Sequence, residues 1–98
     1  MLNTLLKKIY QEVASVRDCD VILYQAGADQ HINDPLGGFL TTLQLKERDR
    51  RVFEAASSLS VPIAWNLAGG YQVNSGGIQA VLDIHNNTML ECAVVYVY

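Results

Sequence analysis

Three side chains able to ligate a metal or move a proton fall at Asp29, His31 and Asp34, inside the string GADQHINDPLGG. Two carboxylates and an imidazole so spaced on a loop suit a divalent cation held through two or three of them. The plain structural alternative has both carboxylates accepting from loop amides, with Asp34 before Pro35 starting a turn, and His31 bonded locally. A second candidate is the turn LAGGY, Leu67 to Tyr71. Adjacent glycines allow positive φ and close backbone approach, and Tyr71 directly after them can offer a phenol to a developing oxyanion. Its structural alternative is a tyrosine packed on the loop. LAGGY lacks both G-x-G-x-x-G and a following Gly-Lys-Ser/Thr, so neither dinucleotide nor P-loop binding is indicated. His85 sits on an apolar helical face, the usual setting of a satisfied, part-buried histidine. There is no G-x-S-x-G, and Cys19 and Cys92 lack CxxC spacing, which argues against nucleophilic catalysis, a zinc ribbon and a disulfide framework. Both thiols are expected reduced and part-buried.

The elements that must position these groups follow from periodicity. Leu2, Leu5, Leu6, Ile9, Val13 and Val16 lie at helical spacing, and predict an amphipathic helix over residues 2–16. Val21 to Ala26 runs without polar alternation, as a strand covered on both faces does. Residues 27–41 hold three glycines and a proline, too many breakers for a regular element. Thr41 and Gln44 have capping-box spacing, and a second helix runs from there to about Ser58 with Leu45, Val52, Phe53, Ala56 and Leu59 inward. Its KERDRR run, residues 46–51, reads as a solvated face with Glu47 four residues before Arg51. Residues 61–67 form a second buried strand, with Pro62 near its start, where a missing donor is tolerable. A polar loop through Ser75, Gly76 and Gly77 leads to a third helix with Ile78, Val81, Leu82, His85, Met89 and Cys92 on one face. The tail, residues 93–98, either extends that helix or pairs as a strand.

Strand, helix, strand with buried-type strands implies a parallel pair joined by a right-handed crossover: an α/β fold with a small parallel sheet and flanking helices. Both strands then end at one edge of the sheet, which brings the Asp29 loop beside the Gly69–Gly70–Tyr71 turn. The 98 residues suffice for a single domain, 1–98, and half of them are apolar, enough to form a core. A formal charge of −3 gives no footprint for phosphate backbones or anionic lipid, so no nucleic-acid partner is expected. No apolar run is long enough for a membrane span and no signal peptide is evident, so no membrane association and a cytoplasmic location are expected.

The segments VILYQAGADQHINDPLGGFLTT, 21–42, and WNLAGGY, 65–71, resemble the carboxyl-terminal part of the zinc-dependent deacetylases. That superfamily comprises histone deacetylases, acetylpolyamine amidohydrolases and bacterial relatives with the arginase/deacetylase fold. The helix segments ERDRRVFEAA and VLDIHNNTM are also similar to the bacterial members. The resemblance implies that Asp29 is the carboxylate zinc ligand that comes late in the family's chain. Tyr71 would be the tyrosine that polarises the substrate carbonyl, and Gly69 and Gly70 the glycines shaping the pocket. In the family the zinc histidine belongs to an earlier Asp-x-His segment, so His31 is not implied as that ligand. Family members are several times longer, and the resemblance does not extend to their first part, which supplies an earlier Asp-x-His zinc segment and the paired acid/base histidines.

A catalytic zinc takes three protein ligands, and this chain matches one. The expectation is therefore a truncated deacetylase-like protein that binds no zinc stably alone and has no deacetylase activity alone. With open sheet edges it is expected to form homo-oligomers. Two alternatives stand beside it. One is a subunit of a split deacetylase completed by a complementary N-terminal fragment; the other is a non-catalytic module for a small ligand or partner.

Overall fold

A computed structural model describes residues 2–72 and 77–98. Its elements are α1 (Leu2–Ser15), β1 (Ile22–Gly27), α2 (Thr42–Ser58), β2 (Ile63–Ala68) and α3 (Gly77–Tyr96). The strands pair in parallel, from Ile22 opposite Ile63 to Gly27 opposite Ala68. A parallel pair needs a crossover, and α2 supplies it. The expected α/β fold with a small parallel sheet is what forms. The tail expectation resolves as helix, since α3 continues through Tyr96, whose hydroxyl donates to the Phe53 carbonyl at 3.3 Å. The Ser75–Gly76 part of the expected loop lies outside the described residues.

Thr41 starts α2 as foreseen: its hydroxyl accepts from the Gln44 amide, and the Gln44 side chain accepts from the Thr41 amide. One side of α2 then carries Leu45, Val52, Phe53, Ala55 and Ala56 into the interior. Phe53 is fully buried and meets the rings of Tyr24, Trp65 and Tyr96 edge-on, with centroids 5.8, 6.4 and 6.2 Å away. At the two ends of α2 lie separate clusters, Ala28–Leu40–Leu45–Val81–Ile84 and Val13–Ala55–Ala56.

Four expectations need correction. The strands are not covered on both faces. Ile22, Tyr24, Ala26, Ile63 and Trp65 are at least partly buried, while Leu23, Gln25, Ala64 and Asn66, on alternate positions, are exposed. The reason is that α1 and α3 pack chiefly on α2, so the helices form one layer on one side of the sheet. Leu23 is left 80% exposed.

The KERDRR run is a solvated face only in part. Arg48 is 6% and Asp49 0% exposed, whereas Lys46, Glu47, Arg50 and Arg51 keep exposed or partly exposed side chains, with Arg51–Glu47 paired at 2.9 Å and Arg50–Glu54 at 3.2 Å. Asp49 is buried because acceptor-seeking groups converge on it from three elements. Tyr24 Oη of β1 donates to its Oδ1 at 2.5 Å, Thr88 Oγ1 of α3 donates to its Oδ2, and Arg48 donates through Nε and a terminal nitrogen. Burial, chiefly, holds the Tyr24 phenol far above its ordinary pKa, so it stays a donor.

The same contacts turn α3. Its buried positions are Val81, Ile84, His85, Thr88 and Glu91, whereas Ile78, Leu82 and Met89 are exposed. Polar partners on α2 select this stripe: Thr88 meets Asp49, and Glu91 meets Arg50 at 3.3 Å and Lys46 at 3.7 Å. Cys19 is exposed rather than part-buried, and Cys92 is half-buried. Among the described residues, no helix is long and apolar enough to cross a membrane.

Candidate functional site

At the carboxyl edge of the sheet the ladder runs one step further, with the Ala28 amide donating to the Ala68 carbonyl at 2.9 Å. The chain then folds back on itself. Gln30 carbonyl accepts from the amides of Phe39 and Leu40, and Leu40 carbonyl accepts from Ile32. His31 and Leu40 form an isolated bridge. The breaker-rich segment is thus a closed loop anchored at its neck.

Within it, His31 is buried and both ring nitrogens are engaged. Nδ1 accepts from the Asn33 amide at 3.1 Å. That places the proton on Nε2, which lies 3.0 Å from Thr42 Oγ1 and donates to it. Asp34 is buried too. Its Oδ1 accepts from the Leu36 amide at 2.9 Å, the turn-starting role open to an Asp before Pro35. Its Oδ2 accepts from the Tyr71 amide at 2.8 Å. One carboxylate therefore ties the loop to the turn after β2, a link across 37 positions that spacing does not reveal.

The turn itself needs its glycines. Gly69 and Gly70 have φ of +61° and +105°, conformations that L side chains rarely adopt. A Cβ on Gly69 would lie 2.9 Å from Asp29 Cγ, and one on Gly27 2.8 Å from Asp29 Oδ1. The Asp29 carboxylate thus packs against the glycine backbone at the ends of both strands. A Cβ on Gly70 would lie 2.5 Å from Val81 Cγ1, so the turn is also seated on α3.

Asp29 is partly exposed, and among the described residues no donor hydrogen-bonds its carboxylate. Tyr71 is held by its backbone, and the residue is 52% exposed. The edge therefore presents one available carboxylate and one available phenol, whereas His31 and Asp34 are occupied in building the loop.

That donor set tests the zinc implied by the resemblance. Among the described residues, no three His, Cys, Asp or Glu side chains gather to hold a metal ion. Asp29 alone falls short of the three protein ligands of a catalytic zinc, so these residues do not by themselves fit a zinc centre.

Sequence reasoning missed Arg48 and Asp49, although their spacing was a signal. They complete the inward series Leu45, Arg48, Asp49, Val52, Phe53, Ala56 at helical period, which their charge obscured.

Asp34→Asn should separate the bridging role from simple turn formation. An amide can accept from only one of the two N–H groups, and turns a donor toward the other, at a cost of about 1–3 kcal/mol. Urea unfolding should show that loss, and exchange of the Tyr71 amide should speed up. Unchanged stability and unchanged Tyr71 exchange would mean that the bridge holds nothing in solution.

An uncharacterized protein of Picosynechococcus sp. (strain ATCC 27264 / PCC 7002 / PR-6) is 36% identical over 56 residues, which is 56% of this chain. The chain covers 19% of that protein's length. The family description "Histone deacetylase domain" matches residues 1–87, from α1 well into α3 and across both the Asp29 loop and the Tyr71 turn. The chain therefore belongs to the histone deacetylase domain family.

Proposed function

We propose that the chain forms the carboxylate-and-tyrosine edge of a deacetylase-type site, corresponds to the carboxyl-terminal portion of the family's domain, and does not hydrolyse acetylated amines alone. The observation that carries this reading is the Asp34 bridge, which makes the Asp29 loop and the Tyr71 turn one piece. Asp29 is one metal donor of such a site, Tyr71 the phenol that donates to the carbonyl oxygen as negative charge develops there, and Gly69 and Gly70 the wall beside it. A base for the attacking water and two further metal donors must come from elsewhere. Zinc is accordingly not bound stably by this chain on its own.

Self-association belongs to the same proposal. It is supported by the bare sheet face with Leu23 and by Leu67, 60% exposed at the end of β2. A second reading is a split enzyme in which another polypeptide supplies the missing donors and histidines. It is favoured by the donor set at the sheet edge, where Asp29 supplies one of the three protein ligands that a catalytic zinc takes.

Zinc content, solution mass and hydrolysis of an acetyl-lysine peptide, all measured on the purified chain, test the proposal together. Substoichiometric zinc, no turnover above the blank and a mass of two or more copies are expected. Stoichiometric zinc that disappears in Asp29→Ala, accompanied by turnover, would overturn the claim that the chain is inactive alone. A monomeric mass would overturn self-association.

A further inference from the structure

We propose that Arg48 is the positioning residue of the Asp29 segment, an inference that rests on reading Asp29 as the carboxylate of the site. Its guanidinium is buried on α2 and spans two anchors. Nε and one terminal nitrogen donate to Asp49 Oδ1 at 3.0 and 2.9 Å. The other terminal nitrogen donates to the Gly27 carbonyl at 2.6 Å and to Gln30 Oε1 at 3.0 Å. Gly27 and Gln30 bracket Asp29 on either side. The guanidinium carbon lies 5.9 Å from the Tyr24 ring centroid, so an aromatic face further limits where the plane can go.

The effect is to pin the backbone around one side chain. Gly27 carbonyl is held by Arg48, Ala28 carbonyl by the His31 amide, and Gln30 carbonyl by Phe39 and Leu40. Asp29 lies in the middle of this run, and among the described residues no donor hydrogen-bonds its carboxylate. Lysine could keep the charge beside Asp49, but a single ammonium lacks the planar fork that reaches Asp49, Gly27 and Gln30 at once. Asp49, held by Tyr24 and Thr88, fixes the other end of the guanidinium. The position of Asp29 is thereby referred to β1, α2 and α3 together.

Amide hydrogen exchange and the Asp29 side-chain carboxyl resonance, followed by NMR on the full chain, test this without any metal. In Arg48→Lys, exchange at Ala28 and His31 should rise at least tenfold and the Asp29 resonance should move, while Ile84 and Thr88 in α3 stay within about twofold. Gln30→Ala, which deletes an exposed side chain and one of the two loop acceptors, should shift the same reporters in the same direction by a smaller factor. Uniform acceleration of all these amides in Arg48→Lys would overturn the proposal, because a residue that only stabilises the fold acts everywhere alike. So would a Gln30→Ala chain in which Ala28, His31 and Asp29 are unaffected. The deacetylase reading is judged separately, by the zinc and turnover measurements, to which these exchange rates do not contribute.

Discussion

Asp49→Ala is expected to leave the chain largely unfolded at 25 °C. The carboxylate is fully buried and accepts hydrogen bonds from Tyr24, Thr88 and Arg48, so its removal affects β1, α2 and α3 at once. The largest loss is electrostatic. Arg48 would keep its charge in the interior without a counter-ion, and breaking one side of a buried pair costs about 3–5 kcal/mol. The Tyr24 hydroxyl is orphaned, at about 1–3 kcal/mol where no water reaches it, while Thr88 keeps the Ile84 carbonyl as an acceptor at 3.3 Å. A small domain has only about 5–15 kcal/mol of total stability, so the combined loss is comparable to the whole.

Circular dichroism with urea titration measures this directly. A melting temperature within a few degrees of the parent would show that the network is not closed in solution. The double change Arg48→Met with Asp49→Leu should be less damaging than Asp49→Ala, because it removes the unpaired charge and leaves only hydroxyls to satisfy. Alkali should act on the same junction. Because the folded-state pKa of Tyr24 is raised, its contribution is complete below the phenol's ordinary value near 10, and declines as pH rises beyond it.

Gly38→Ala should open the Asp29 loop while Gly37→Ala leaves it closed. A Cβ on Gly38 would lie 2.2–2.4 Å from the backbone of Gln30 and His31. Backbone atoms cannot swing aside as a side chain can, so the two arms of the loop must separate. That separation breaks the bonds from Phe39 and Leu40 to Gln30 and from Ile32 to Leu40, at about 0.5–1.5 kcal/mol each. It also exposes Leu40 from its cluster with Ala28 and Leu45.

Gly37 has the left-handed φ, +87°, yet nothing lies within 4 Å of its would-be Cβ. Substitution there incurs only conformational strain, about 1–2 kcal/mol. Thermal melts of the two variants, with exchange at Ile32 and Leu40, should rank Gly38→Ala well below Gly37→Ala. The reverse order would mean that loop conformation, rather than close approach of its arms, decides the stability of this edge.

Much of the architecture is legible from local pattern. Helical spacing in residues 2–16 and 42–58, the capping pair Thr41–Gln44 and the apolar runs on either side of α2 determine the element order and the parallel pairing. From that topology alone the Asp29 loop and the Tyr71 turn had to share one edge of the sheet. Local pattern suffices because a capping box, a helical period or a strand run is settled by residues within a few positions of one another.

What only the tertiary structure decided concerns charged and polar side chains whose partners are distant. Arg48 and Asp49 turn inward because Tyr24, 25 positions before Asp49, and Thr88, 39 positions after it, bring hydroxyls to the same carboxylate. Those contacts also rotate α3, so that Thr88 and Glu91 are buried while Leu82 and Met89 are exposed. Asp34 is engaged by a turn amide from the far strand, and His31 by its own loop and the start of α2. Hydrophobic periodicity says which side chains prefer to leave water. A buried charge is allowed only where its partners arrive together, and that convergence exists only once the chain has folded.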